Sequence, residues 1–212
     1  MTFKIVLNRF SPAEAAKIVQ VSTTLQRNWR RHGYLPVAEG HARFDVFALA
    51  ELYALGVLAA RGVGPHQGIE VAELIGAGIV WNALAVRAAY EGDATILSSE
   101  PDTADEANLR DQVQAMGVNL GPDPLDWMFK CDKFIRDAFR TNGYDKRVGR
   151  VIPARYFLWF PDGSHSWQWS VDHCFTSGLF PTDGPVIVID QRALGAKMVA
   201  VAGKPFVRIE AD

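Results

Sequence analysis

The sequence predicts an α+β protein whose N-terminal part is helical and whose C-terminal part mixes helices with strands. Helix signals recur between residues 11 and 64, and short strand patterns begin near residue 151. With 212 residues, of which 49% are hydrophobic, the chain is long enough to bury a substantial core. We expect two domains, over residues 1–66 and 67–212.

The first predicted helix begins with a strong capping pattern. Ser11 can accept a hydrogen bond from a free helix amide, Pro12 suits the first helical position, and Glu14 completes a capping box. The inner face of this helix is small and apolar, formed by Ala15, Ala16, Ile18 and Val19. A second helix can therefore approach it closely.

A tight turn and a second, basic helix follow. Gln20 and Val21 form the turn, with Val21 directed inward, and Ser22 caps a helix that runs to about His32. A glycine then supplies the stop. Because Trp29 anchors this helix to the interior, its polar and basic side chains fall on the exposed side or at its edges.

A short hairpin and a third, apolar helix complete the N-terminal part. Residues 34–36 are extended, residues 37–40 turn, and residues 42–44 return. Asp45 caps the third helix, whose apolar residues recur at helical spacing up to Leu58. This order of elements is that of a winged helix-turn-helix, which inserts its second helix into the DNA major groove.

Five landmarks in this segment match a known family. The first helix has a small residue, Ala16, and the turn has Val21-Ser22. The second helix has a basic and an aromatic residue, Arg27 and Trp29. An extended run, Gly33-Tyr34-Leu35-Pro36, and the wing residues Arg43-Phe44 complete the match. On these landmarks, about a quarter of the chain resembles the MerR-type winged helix-turn-helix and its excisionase-like relatives. The resemblance implies that Arg27 touches the DNA backbone and that Trp29 seats the helix.

The chain departs from the family pattern at two positions. Gln20 stands where the family usually has glycine, so the turn is made without the residue best suited to a left-handed conformation. Gln26 stands where an apolar residue is usual, and Leu25 is apolar instead. We therefore expect the second helix to be rotated somewhat relative to the family, which leaves open which of its polar residues faces the bases.

Charge is distributed unevenly between the two parts. Residues 1–64 carry eight Lys and Arg and four Asp and Glu (net +4), whereas residues 65–212 carry fourteen and twenty (net −6), which together give the −2 of the chain. The predicted partner is double-stranded DNA, because positive charge is concentrated where phosphates would be met. The predicted DNA-contacting residues are Lys17, Ser22, Thr23, Thr24, Arg27, Asn28, Arg30, Arg31, His41 and Arg43. The alternative is a protein-interaction module with a solvated basic face.

The middle of the chain leaves two interpretations open. Residues 67–90 are strongly apolar and form either a core helix of the second domain or a helix that pairs with its copy, as in MerR-type proteins. They lack the charged edges of a coiled coil.

Residues 91–105 read as a loop. Residues 124–139 read as an amphipathic helix packed on the C-terminal sheet, the alternative being a ligand or partner face.

The C-terminal part reads as a hairpin over residues 155–160 and 166–171, followed by a strand at 186–189, a helix at 191–202 and a strand at 206–209. Its aromatic residues favour a core, with a cavity for a small apolar or cationic effector as the alternative. Four side chains of metal-ligand type lie close in sequence: His165, Asp172, His173 and Cys174. Adjacent strand residues point to opposite faces, which argues against a metal site, and we predict no catalytic residue and no cofactor.

Composition also bears on location. No signal peptide and no run of about 18 uncharged apolar residues is found, so we expect neither secretion nor a membrane partner. Cys131 and Cys174 are far apart, which suits a reduced, cytoplasmic protein.

The sequence thus predicts a MerR-like transcriptional regulator, not an enzyme. It would form a homodimer, and its C-terminal domain would dimerise or take a small-molecule or protein effector. The alternative is an excisionase-like accessory factor that bends DNA.

Overall fold

The computed structural model confirms an α+β fold and describes residues 3–36, 42–92, 131, 134–141, 143, 154–176, 180–181 and 183–211. The predicted loop at 91–105 lies almost wholly outside these ranges, as does the first part of the helix predicted at 124–139. The elements, in chain order, are β1 (Phe3–Leu7), α1 (Pro12–Val19), α2 (Thr23–Arg31), α3 (Val46–Ala59), α4 (Pro65–Leu84), a 3-10 turn (Arg87–Ala89), β2 (Tyr90–Glu91), α5 (134–141), β3 (Tyr156–Trp159), β4 (His165–Gln168), α6 (Asp172–Thr176), β5 (Ile187–Asp190), α7 (Gln191–Val201) and β6 (Val207–Ala211).

Six strands in the described residues form two small sheets. In the first, β6 lies between β1 and β2, antiparallel to β1 and parallel to β2, with Ile5 opposite Ile209. In the second, β3 lies between β4 and β5, antiparallel to both. The first sheet joins the N-terminal strand to the last one, so the two ends of the described chain are held together by backbone hydrogen bonds.

The predicted hairpin is confirmed, but it is shorter than expected. Phe157 pairs with Trp167, and the second strand ends at Gln168 instead of reaching residue 171. Residues 172–176 then form the short helix α6. His173 and Cys174 are therefore helical, and no group of three metal-ligating side chains is found in the described part of the chain.

The predicted wing differs from expectation in the residues that the structure describes. Phe44 forms an antiparallel bridge with Phe10, through hydrogen bonds of 2.7 Å and 2.9 Å between their backbone amides and carbonyls. No backbone hydrogen bond joins residues 34–36 to residues 42–44. The tip predicted at residues 37–40 lies outside the described residues. The segment after α2 is thus anchored on the residue that precedes α1.

Helix α4 runs without a break through Gly76 and Gly78 of the apolar segment. It packs along α3 on one side and α7 on the other, and its exposed side chains lie in the first two turns: His66, Gln67, Ile69 and Glu70. Its position within one chain fits the core-helix interpretation of residues 67–90. No helix in the described residues is long and apolar enough to cross a membrane.

Glycines allow these helices to approach closely. A Cβ at Gly76 would lie 3.1 Å from the backbone nitrogen of Glu51 in α3, and a Cβ at Gly195 would lie 2.9 Å from the carbonyl oxygen of Ile79. A Cβ at Gly78 would collide with the amide of Gln191, which is fully buried and donates to a carbonyl of α4 at 3.1 Å. One hydrophobic core therefore continues from Phe10 to Ile209, across the boundary predicted between residues 66 and 67.

A polar contact also links the C-terminal part to α1. The capping box is confirmed, since Ser11 Oγ accepts from the Glu14 amide and the Glu14 carboxylate accepts from the Ser11 amide at 2.6 Å. The other oxygen of that carboxylate lies 2.8 Å from Lys204 Nζ, in the turn between α7 and β6. The hydrogen bond from Lys204, followed by those from Ser11, lowers the pKa of Glu14 from 4.5 to about 2.

Replacing Gly78 by alanine tests the packing of α4 on α7. Alanine favours helix by about 1 kcal/mol, yet we expect Gly78→Ala to lower the free energy of unfolding by about 1–2 kcal/mol, because the added methyl displaces the Gln191 amide. Urea unfolding of the full chain measures it. Gly64→Ser is the control, because its Cβ meets nothing within 4 Å and its hydroxyl can cap α4. A more stable Gly78→Ala protein would contradict this packing.

The depressed pKa of Glu14 predicts an acid dependence of stability. The ionised carboxylate contributes stability above its ordinary pKa of 4.5, and that contribution is lost as the pH falls toward the folded-state value of about 2. The difference in unfolding free energy between wild type and Glu14→Gln should therefore be largest at neutral pH and shrink on acidification. Glu70→Gln, on the exposed side of α4, should show no such trend. A gap for Glu14→Gln that is equal at all pH values would refute the assignment.

Candidate nucleic-acid interface

The α1–turn–α2 unit is built as the sequence predicts. Gln20 adopts the left-handed conformation, with φ of 59°, and Val21 is directed inward and 2% exposed. Ser22 Oγ accepts a hydrogen bond from the Leu25 amide at 3.2 Å and so caps α2. The turn rests on α3, where a Cβ at Gly56 would lie 2.5 Å from a methyl of Val21. A glycine in α3 thus makes room for the turn.

The rotation expected for α2 is wrong, because Gln26 itself occupies the inner position. Its side chain is fully buried, and its Nε2 donates to the carbonyls of Pro12 at 3.1 Å and Val21 at 2.8 Å. Leu25 is only partly buried. Glutamine therefore replaces the apolar residue of the family pattern by bonding to α1 and to the turn, and Trp29, 3% exposed, lies one turn further along the same face.

The face of α2 opposite Gln26 and Trp29 is polar and basic. Thr24, Arg27 and Arg31 are exposed, and Asn28 is half-buried, with its Oδ1 accepting from Arg31 Nη2 at 3.2 Å. Arg27 and Asn28 each lie three or four positions from Thr24 and from Arg31, so the four residues form one continuous surface along the helix. We call these four residues the outer face of α2.

The stretch of sequence that contains the outer face carries positively charged side chains and no negatively charged ones. Between Glu14 and Glu39 the chain has four Lys and Arg residues and no Asp or Glu. Glu14 is engaged by Lys204, as described above. This stretch therefore has no carboxylate that would repel an approaching polyanion such as DNA.

The other predicted contact residues lie in different settings. Lys17 and Arg43 are exposed, Ser22 is exposed at the start of α2, and Thr23 is partly buried. His41 lies outside the described residues. Arg30 is partly buried, with its guanidinium carbon 4.9 Å from the centroid of the Phe44 ring. Burial lowers the pKa of Arg30. Arg30 thus packs the edge of α2 against the segment that precedes α3.

Three titratable groups of the described C-terminal part, His165, the Arg155–Asp190 pair and Cys131, lie in structural settings. The exposed His165 ring stacks on Phe157 with centroids 5.6 Å apart, and Arg155 forms an ion pair with Asp190 at 2.8 Å. Burial raises the pKa of the Cys131 thiol to about 12, so that thiol is protonated at neutral pH. Its fully buried position suits packing and does not suit a nucleophile.

Most of the aromatic residues of this part pack within the protein, as predicted. Phe157 is fully buried in the main core, and Phe160 stacks on Phe180 with centroids 5.3 Å apart in a small second cluster. Among the described aromatic residues of this part, Phe175 on α6 is the exception, with half of its surface exposed. An aromatic concentration in the sequence therefore marks packing here more than a binding surface.

No family model, curated protein or solved structure matches this chain. The likeness to MerR-type proteins accordingly rests on the residues quoted above and stays a prediction. The geometry of α1, the turn and α2 is what bears on function.

Removing the Gln26 side chain should weaken the whole unit. Gln26→Ala leaves two backbone carbonyls without this donor and opens a void, so we expect the free energy of unfolding to fall by about 1–3 kcal/mol. Urea unfolding checks the value. Gln20→Gly is the control on the same turn. It should leave stability unchanged or raise it, because glycine adopts a positive φ without strain. Equal stability of Gln26→Ala and wild type would show that the two hydrogen bonds do not hold α2.

Proposed function

We propose that this protein binds double-stranded DNA through the outer face of α2 and acts as a MerR-like transcriptional regulator. The observation that carries the proposal is the division of α2 into two faces. Gln26 and Trp29 fix the inner face against α1 and the core, which leaves the basic outer face exposed as one surface. A rigid helix of this kind can enter the major groove and present its side chains to base edges.

Each residue of the outer face suits a particular kind of contact. Arg27 would bond to a backbone phosphate, which positions the helix without reading sequence. Thr24 and Asn28 carry the short polar groups that discriminate base edges in the major groove. Arg43 would reach phosphate or the minor groove from the segment that precedes α3.

The proposal includes a homodimer held by residues after Pro65. One helix-turn-helix buries too little DNA surface for a tight and specific complex, and a two-fold pair of helices on a two-fold site doubles that surface. The net negative charge of residues 65–212 keeps them away from phosphate and leaves them for dimerisation or for a small-molecule or protein effector. The protein would act in the cytoplasm, as a binding protein without a cofactor or catalytic activity.

DNA binding is tested with the full chain and labelled duplex DNA. We expect affinity to fall steeply as salt rises, because the contacts to phosphate release counterions. Arg27→Ala should weaken binding to all sequences alike, whereas Asn28→Ala should change sequence preference by about 1–3 kcal/mol at one base pair. Fluorescence anisotropy over a salt series measures the first two effects, and binding to a panel of sequences measures the third.

Arg192→Ala is the matched control, since it removes an exposed arginine on α7. No binding at low salt, or binding that salt does not affect, would exclude the proposal. Footprinting of the bound sites separates the two modes of action. A regulator protects one palindromic site, whereas clustered direct sites would favour an excisionase-like accessory factor.

A further inference from the structure

The bridge between Phe10 and Phe44 places two arginines on one surface. Both phenylalanine rings are buried, whereas the residue before each of them, Arg9 and Arg43, is exposed. Neighbouring residues of an extended chain point to opposite sides, so Arg9 and Arg43 share the face of the bridge that turns away from the core. The sequence alone does not bring these residues together, because 34 positions separate them.

The backbone that carries Arg9 is held firmly. The carbonyl of Arg9 accepts a hydrogen bond from Lys204 Nζ at 3.1 Å, and the Asn8 amide donates to the carbonyl of Phe206 at 2.8 Å. The rings of Phe10 and Phe206 also meet edge to face, with centroids 5.4 Å apart. The Arg9 side chain therefore starts from a fixed position.

The guanidinium of Arg9 is available to an anion. It forms no ion pair among the described residues. Asp45 stands opposite Arg9 on the same face of the bridge, but its carboxylate accepts a hydrogen bond from the Ala48 amide at 3.0 Å and caps α3.

The bridge also contacts α2, through its core-facing side. Arg30 of α2 lies over the ring of Phe44, so the bridge and the helix are in direct contact. We infer that Arg9 contacts a backbone phosphate of duplex DNA beside the phosphate contacted by Arg43. This inference rests on the proposed DNA binding and adds to it a residue outside the helix-turn-helix and the wing.

The test measures how many phosphates the full chain neutralises on a labelled duplex of mixed sequence. The slope of log K against log salt changes by about 0.9 for each phosphate contact to B-form DNA. For each protomer bound, we expect Arg9→Ala to lose about 0.9 of slope, and Arg9→Ala with Arg43→Ala to lose about twice that. Arg9→Lys should retain most of the slope, because it keeps the charge. Arg192→Ala, which removes the same charge from α7, should leave the slope unchanged.

The outcomes separate the inference from the proposal beneath it. If the wild-type chain shows no salt-dependent binding, DNA binding itself is wrong, and the role of Arg9 falls with it. If the wild-type chain binds but Arg9→Ala keeps the full slope, the inference is overturned and the proposed function stands. An equal loss for Arg9→Ala and Arg192→Ala would show an effect of net charge alone and would also overturn the inference. Unfolding curves of Arg9→Ala that match wild type exclude a loss through misfolding.

Discussion

Helix α3 is the constraint on which the rest of the structure depends, because it is packed from two sides at backbone distance. On one side, Gly56 receives the turn between α1 and α2. On the other, Glu51 receives Gly76 of α4. Nine of its fourteen residues are buried, so its placement is set by packing in nearly every direction. The orientation of α2 toward solvent follows from this placement, since the turn cannot move without moving α3.

Much of the helical part follows from local sequence. Caps at Ser11, Ser22 and Asp45, the inward Trp29 and the turn at Gln20 all appear where the residues predict them. These features depend on contacts between residues close in sequence, whose geometry is limited. The exposure of the polar residues on the outer face of α2 follows from the burial of Gln26 and Trp29 on the inner face.

Features that depend on contacts between residues far apart in the sequence were harder to predict from the sequence. The inward position of Gln26 requires two carbonyls from α1 and the turn, and an apolar pattern gives no sign of them. The pairing of β1 with β6 joins segments about 200 residues apart, and the bridge that exposes Arg9 joins Phe10 to Phe44. The close approach of α3 and α7 to α4 at Gly76 and Gly78 likewise involves residues far away in the sequence.

The shared core affects how such a chain can change. Phe10, next to the first helix, packs against Phe206 near the last strand, and Lys204 bonds to the cap of α1. A segment joined in this way cannot be moved to another protein as an independent cassette, because its excision would uncover apolar surface on both sides of the cut. New binding preferences would therefore arise through substitutions on the surface of α2, while the rest of the fold stays unchanged.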